Sequence, residues 1–332
     1  VAARFYYEQL QTDNAHNAVE YLNLRQLSPR TRKIFGLGYA PINKDALYKT
    51  LVEAGFSESA ILKSGLVYKN DNGSYYEKFY NRLMFPIIDV YGNIIGFGGR
   101  VLGDGMPKYL NSPETEIFSK SKNLYNLNLA KKSNNRELIL VEGYMDAITI
   151  YQAGFTNVVA SLGTAFNENH ARVLKSYADS AVLLFDSDEA GVKAVLRAIP
   201  VLKNAGLKVK VLQVTDAKDP DEYIKKFGPS AFGELLKTAK SHILFEAEQI
   251  QKKYDLTLLE DKIAFTNEIA SLLSSVENSI EKDAYLKEVS RITQIDVSAI
   301  QEQINSINGM SEKTVEYSNI NKRISDNGVD LA

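Results

Sequence analysis

The sequence predicts an α/β protein: a parallel-sheet domain, preceded by a mixed α+β segment with a basic stretch and followed by a helical one. Three observations carry this. Between residues 137 and 241 short apolar runs alternate with helical segments, the grammar of a parallel sheet with crossover helices. Upstream, "LMFPIIDVYGNIIGFGGRV" (83–101) is two apolar runs around Tyr91-Gly92-Asn93, a hairpin signal. Downstream, from about 242 to 308, "ILFEAEQIQKKY", "LEDKIAFTNEIASLLSSV" and "EKDAYLKEVSRI" read as helices. The divisions expected are therefore 1–132, 133–241 and 242–332. A chain of 332 residues is too long for one ordinary core.

Residues 1–62 read as mostly helical. Ser28 is an N-cap candidate with Pro29 at the first helical position. "NKDALYKTLVEAG" (43–55) ends on a glycine, a C-cap signal, and "SESAIL" (57–62) begins another short helix. A polar, kinked stretch rich in turn formers covers 103–127. The strands expected next are "ELILV" (137–141), "NVVA" (157–160), "AVLLF" (181–185) and "LKVKVLQV" (207–214), with helices near 144–153, 167–177 and 189–203. In the helical tail Leu256, Leu258, Leu259, Ile263 and Phe265 read as a core stripe, and the last twenty or so residues as polar and weakly ordered.

Composition excludes several chemistries. There is no cysteine, so disulfides, thiolate catalysis and Cys-based zinc sites are out, and a reducing cytoplasm fits. With three histidines, a metal would be held by oxygen, which favours Mg²⁺ or Mn²⁺. No apolar run approaches the roughly 20 residues that span a bilayer. The chain begins with Val1, as a piece of a longer protein would.

The acids are where the chemistry lies. Ligands of a parallel α/β sheet bind outside the carboxyl ends of its strands. After "ELILV" come Glu142 and Asp146; after "AVLLF" come Asp186 and Asp188; after "LKVKVLQV" come Asp219 and Asp221. In an extended stretch residues 186 and 188 point the same way. Carboxylates gathered so closely repel, and divalent cations remove that penalty while clamping the oxygens of a phosphoryl transfer. The simpler alternative is that such acids only cap the helices that follow, Asp188 the one from Glu189. "DSDEAG" (186–191) starts like an EF-hand loop, but Ala190 and Arg197 stand where ligands are required. "GFGGRVLGDG" (96–105) breaks the dinucleotide pattern at Val101, and there is no Walker P-loop.

Net charge is −2, yet between Lys63 and Lys132 there are ten Lys/Arg against six Asp/Glu. A basic stretch beside acids suits polymerisation, where cations hold phosphates and acids hold metals. Arg82 precedes a predicted strand. Arg100 follows Gly98-Gly99, a pair expected to let the backbone approach a ligand. Single lysines such as Lys120 are equally compatible with a solvated surface.

A glutamate followed by Asp-x-Asp at neighbouring strand ends resembles the Toprim domain of bacterial primases, type IA and II topoisomerases and some nucleases. The segment "NRLMFPIIDVYGNIIGFGGRVLGDGMPKYLNSPETEIFSKSKNLYNL" (81–127) resembles the basic subdomain that precedes Toprim in DnaG-type bacterial primases. "EGYMDAI" (142–148) and "KDPDEYI" (218–224) resemble the same family. The resemblance runs from "GLGYAP" (36–41) to about 232 and is weaker in the tail. It implies a cytoplasmic RNA polymerase core that makes short RNA primers on single-stranded DNA from ribonucleoside triphosphates at the replication fork. Glu142, Asp186 and Asp188 match the family's metal-binding acids, and Asp146, Asp219 and Asp221 further acids of that site. Arg82, Arg100, Lys108, Asn111 and Lys120 match positions facing template and nucleotide. The implied cofactors are two or more Mg²⁺ or Mn²⁺ ions, with no zinc in this fragment because the family's zinc-binding domain is missing. The triphosphate pocket should also take guanosine polyphosphate alarmones. The helicase-binding domain is expected to lie outside this chain, and no membrane is involved. Competing readings are a Toprim nuclease or topoisomerase-like strand-breaking enzyme, and a non-enzymatic binding module with a degenerate site.

Overall fold

The computed structural model describes residues 1–276 and 278–309. They fall into two compact units, Val1–Ala239 and a second from Lys240 onward.

The first unit opens with α1 (Ala2–Gln9), α2 (His16–Leu24) and α3 (Pro29–Ile34). Ser28 caps α3 as its type predicts, its hydroxyl accepting from the Thr31 N–H at 3.1 Å. Strand β1 (Gly38–Ala40) follows, then α4 (Ala46–Glu53) and α5 (Glu58–Lys63). A small hairpin pairs β2 (Val67–Lys69) with β3 (Tyr75–Glu77). The predicted hairpin is β4 (Arg82–Ile88) and β5 (Ile94–Val101). Its turn is held by the Asp89 carboxylate, which accepts from the N–H groups of Tyr91 and Asn93, while Gly92 takes a φ of +96°. With β6 (Tyr109–Asn111) these make an antiparallel sheet ordered β1-β4-β5-β6.

The glycines of β5 serve packing. A Cβ on Gly98 would lie 2.6 Å from the Tyr144 ring and one on Gly99 would lie 2.7 Å from Phe79. Two core rings therefore rest on bare backbone. This corrects the expectation that the pair opens the chain to a ligand.

After α6 (Leu127–Ala130) the predicted alternation appears: β7 (Glu137–Val141), α7 (Tyr144–Gln152), β8 (Val158–Ala160), α8 (Glu168–Lys175), β9 (Ser180–Leu183), α9 (Glu189–Asn204), β10 (Lys208–Val211) and α10 (Pro220–Lys237). The four strands are parallel in the order β10-β9-β7-β8. Register aligns Leu140 with Leu183, and Leu183 with Val211. The carboxyl ends of β7, β9 and β10 are thereby level. Both halves share one core, knotted at Tyr144: its ring stacks on Phe85 at 5.1 Å and meets Tyr125 edge-on at 4.7 Å.

The second unit contains α11 (His242–Gln251), α12 (Leu259–Ser274), α13 (Ser279–Thr293) and a helical stretch at 297–309. Its core is built from Ile243, Phe265, Ile269, Leu273, Leu286, Ile300 and Ile304. Leu258, Leu259 and Ile263 are exposed, so the predicted stripe is corrected. Helix α12 starts at Leu259, and its 3.6-residue period turns Phe265, Ile269 and Leu273 inward. The polar tail predicted at the end lies outside the described residues. No helix among the described residues is long and apolar enough to cross a membrane.

One acid is buried away from the sheet edges. Glu77 is 3% exposed, and one of its oxygens accepts from the Tyr48 N–H at 3.0 Å at the start of α4. Burial pushes its carboxyl up to about 7, against backbone N–H bonds that pull it down. The folded protein thus keeps a proton that the unfolded chain releases near pH 4.5. The stability this contributes is full below that value and is lost as pH rises through 7. Glu77→Gln keeps the acceptor and removes the charge. It is expected to raise stability at pH 8 by about 3 kcal/mol, with the gap closing on acidification. Melting curves of both proteins across this range check it; a gap that does not change with pH would contradict the assignment.

Candidate active site

Three acids at the level strand ends, Glu142, Asp188 and Asp219, are held by backbone donors. Glu142 follows β7, and its Oε1 accepts from the Asp186 N–H at 3.3 Å. Asp188 is the N-cap of α9, with Oδ1 accepting from Gly191 N–H at 2.8 Å. Asp219 caps α10 in the same way, accepting from Glu222 N–H at 2.8 Å, with Pro220 at the first helical position. The capping reading of Asp188 is therefore correct. It leaves Oδ2 of each capping aspartate without that duty, so capping and ligand binding are compatible.

Gly191 completes this turn. A Cβ there would lie 2.0 Å from the Asp186 carbonyl oxygen, so the start of α9 backs directly onto the acid-bearing loop.

The charges are close enough to feel one another. Glu142 is raised by burial, then by Asp186 and Asp188, against the hydrogen bond from the Asp186 N–H. Asp186 is raised by burial, then by Asp188 and Asp219, with Lys218 and Lys108 pulling it down. Asp146, in the first turn of α7, is pushed up to about 7 by burial, then by Asp219, Asp186 and Asp221, with Arg25 opposing. Among the described residues no group of three or more His, Asp or Glu side chains is closed into a ready coordination shell. The donor set nevertheless fits a hard divalent cation: carboxylate oxygens only, with Glu142 and Asp186 each raised by burial and then by neighbouring negative charge.

Asp221 stands apart. It is 1% exposed and its oxygens are occupied by Lys225 Nζ at 2.7 Å, Thr149 Oγ1 at 2.8 Å and the Arg25 guanidinium. It ties the end of α2 to α7 and α10.

The basic and polar residues divide similarly. Lys108 is exposed and near enough to Asp186 to act on its charge. Arg100 lies over the Tyr21 ring at 4.5 Å and donates to the Tyr109 hydroxyl at 3.2 Å. Its Nε is buried without a partner. On the Tyr21 ring Arg25 also lies, at 5.4 Å, so one tyrosine carries two guanidinium groups. The Asn111 amide is bound on both sides, accepting from Tyr144 Oη at 2.7 Å and donating to the Leu162 carbonyl at 2.6 Å. Arg82 is 6% exposed, and its Nη1 donates to the carbonyls of Gly99 at 3.1 Å and Pro107 at 3.0 Å. Lys120 is anchored through its backbone, its carbonyl accepting from His170 Nε2 at 2.7 Å. Lys108 and Arg100 thus keep capacity for a ligand, whereas Asn111 and much of Arg82 are spent on the fold. Tyr21 and Arg25 were not foreseen. "EYLNLRQLS" (20–28) carries no motif, and only the fold brings it beside Arg100 and Asp221.

Family models match three segments: the N-terminal domain of the DNA primase catalytic core over residues 5–131, a Toprim-like model over 139–224, and the DnaB-helicase binding domain of primase over 245–298. A crystal structure of a DNA primase domain from Pseudomonas aeruginosa is 37% identical, with a TM-score of 0.78, covering 92% of this chain and 97% of that one. The chain belongs to the bacterial DnaG primase family. A DnaG catalytic domain solved bound to single-stranded DNA is 33% identical with a TM-score of 0.75, covering 87% of this chain and 95% of that one. The DNA primase of Clostridium acetobutylicum is 39% identical over 327 residues, which are 98% of this chain and 54% of that protein. The chain thus spans about half the length of the curated relatives it matches. A Toprim domain within a primase core implies use of divalent metal. The match over 245–298 corrects the expectation that helicase-binding sequence lies outside this chain. That segment is amphipathic helix without chemistry-bearing motifs, so nothing marked it.

The surroundings of Asp221 make a test. Asp221→Asn keeps an oxygen for Thr149 but leaves Arg25 and Lys225 facing a neutral partner. Breaking a buried pair costs about 3–5 kcal/mol, so a loss near the lower end is expected, while Mn²⁺ binding persists. Thermal unfolding and metal titration check this. A variant of unchanged stability that loses Mn²⁺ would instead place Asp221 among the ligands.

Proposed function

We propose that this chain is the primer-synthesising core of a bacterial primase, a nucleotidyltransferase that joins ribonucleotides on a single-stranded DNA template. The observation that carries this is the meeting of Glu142, Asp186 and Asp188 with Lys108 and Lys218 at one sheet edge, in a chain whose relatives are primases. The match over 5–131 to a primase model favours this over a strand-breaking Toprim enzyme.

Glu142, Asp186 and Asp188 are the proposed ligands of Mg²⁺ or Mn²⁺, and Asp146 and Asp219 the further acids of the same edge. Bound there, the ions would neutralise the triphosphate and favour the deprotonated 3′ hydroxyl. The reaction forms a bond from the primer 3′ oxygen to the α-phosphorus and releases pyrophosphate. Lys108 and Lys218 stand beside Asp186 to take phosphate charge. Arg100, supported by Tyr21 and Tyr109, presents its half-buried guanidinium to nucleotide or template. Arg82 and Asn111 shape the pocket through the backbone they hold, and Lys120 lies on its rim. In this reading residues 1–132 bind template and nucleotide, 133–241 carry catalysis, and 242–332 include the helices that would contact the replicative helicase.

Short labelled RNA made on single-stranded DNA with Mn²⁺ is the direct test. Asp186→Asn and Asp188→Asn are each expected to lower incorporation by at least about a hundredfold. Unchanged incorporation in both would overturn the assignment, and cut DNA without RNA would restore the nuclease reading. A pocket built for triphosphates should also take guanosine polyphosphates, which should compete with GTP for binding. Additive binding of the two would show separate sites.

A further inference from the structure

The hairpin β2–β3 carries a surface that primer synthesis at the acids leaves unused. Tyr68 and Tyr76 are directly opposed across its ladder, with rings 5.5 Å apart at 24°. On the neighbouring positions Tyr75 stacks on Tyr48 at 4.2 Å and 16°. Just beyond the hairpin lies Tyr80. Tyr76 and Tyr80 are each 46% exposed. Cations cover this group: Lys78 Nζ lies 5.6 Å from the centre of the Tyr68 ring and Lys44 Nζ lies 4.6 Å from that of Tyr80.

Internal packing explains part of this. A two-stranded ladder of three residues a side is marginal alone, and cross-strand ring pairs support it. That accounts for the Tyr48–Tyr75 stack. It does not account for the exposed faces of Tyr76 and Tyr80, nor for the charge. Lys69 is paired with Glu58 at 2.7 Å, but among the described residues neither Lys78 nor Lys44 has a carboxylate within 4.0 Å. Lys78 is held below its usual range by burial and then by the positive charge of Arg82. Lys78 and Lys44, lying over tyrosine rings without an ion-pair partner among the described residues and close to the exposed Tyr76 and Tyr80, match a polyanion carrying flat, unpaired faces.

We infer that the β2–β3 hairpin is a stacking platform for the unpaired bases of a single-stranded nucleic acid, with Tyr76 and Tyr80 taking bases and Lys78 and Lys44 taking phosphates. This rests on the polymerase reading and extends it. The strand would lie over the hairpin, its bases on the exposed rings and its phosphates at the lysines. Bases locked in a duplex cannot lie on these rings, so the platform distinguishes single strands from duplex.

The test is the affinity of the protein for a labelled oligothymidylate and for a matched duplex, measured by anisotropy. Tyr76→Ala and Tyr80→Ala should each weaken single-strand binding roughly tenfold and leave duplex binding unchanged. Tyr76→Phe and Tyr80→Phe should retain affinity, which separates ring stacking from damage to the hairpin. Lys78→Gln should flatten the dependence of log affinity on log salt by about one unit. Unchanged single-strand affinity in both alanine variants overturns the inference, as does an equal loss on duplex. Primer synthesis by the same preparations, beside Asp186→Asn, keeps the two questions apart. Tyrosine variants with normal single-strand affinity sink the platform alone, whereas an active Asp186→Asn sinks the polymerase reading.

Discussion

Burial of carboxylates close to one another is the constraint around which this molecule is organised. Burial, and then the charge of neighbouring carboxylates, raises Glu142, Asp146 and Asp186, so gathering these acids raises the free energy of the folded chain. The fold offsets this by directing backbone donors at Glu142, Asp188 and Asp219. The N-termini of α9 and α10 each present an N–H to a capping aspartate, where the helix dipole also favours negative charge. The Asp186 N–H is aimed at Glu142. Parallel register makes this possible, because it sets the ends of β7, β9 and β10 level and starts two helices beside them.

The same constraint explains how the basic segment is attached. Asp221 belongs to the acidic stretch by sequence but is turned inward, where it anchors Arg25. Arg25 shares the Tyr21 ring with Arg100, so a buried acid helps to place the Arg100 guanidinium. Tyr144 makes a second tie. Its ring fills the space left by Gly98 while its hydroxyl holds Asn111. Positive and negative halves of the site are thus positioned by common contacts within one core.

What could be read from the sequence follows from this distinction. The four parallel strands, the helices between them and the β4–β5 hairpin were legible because their signals are local: apolar runs, caps and a turn of Tyr-Gly-Asn. The acids at the strand ends were legible for the same reason. Strand β1 has three residues and exists only because β4 pairs with it, so local pattern could not show it. The β2–β3 hairpin did carry a signal, Asn72-Gly73 between tyrosine-rich runs, and its two short strands were passed over. The roles of Asp221, Arg82 and the Gly98-Gly99 pair depend on partners far away in sequence. Each was read as facing a ligand, because residue type alone cannot tell a buried tie from an exposed contact.

The stretch Asp186–Gly191 shows how tightly the local and the distant can be joined. Asp186 needs its carbonyl against the first turn of α9, and only a residue without a side chain can stand at 191 with that carbonyl 2.0 Å from where a Cβ would be. The N–H of the same glycine is the donor that caps through Asp188. One glycine therefore lets the Asp186 carbonyl close against the first turn of α9 and supplies the hydrogen bond that orients Asp188 at the start of the helix whose dipole steadies it. The spacing Asp-x-Asp-x-x-Gly is accordingly a mechanical unit, in which the acids and the turn that presents them cannot be varied separately.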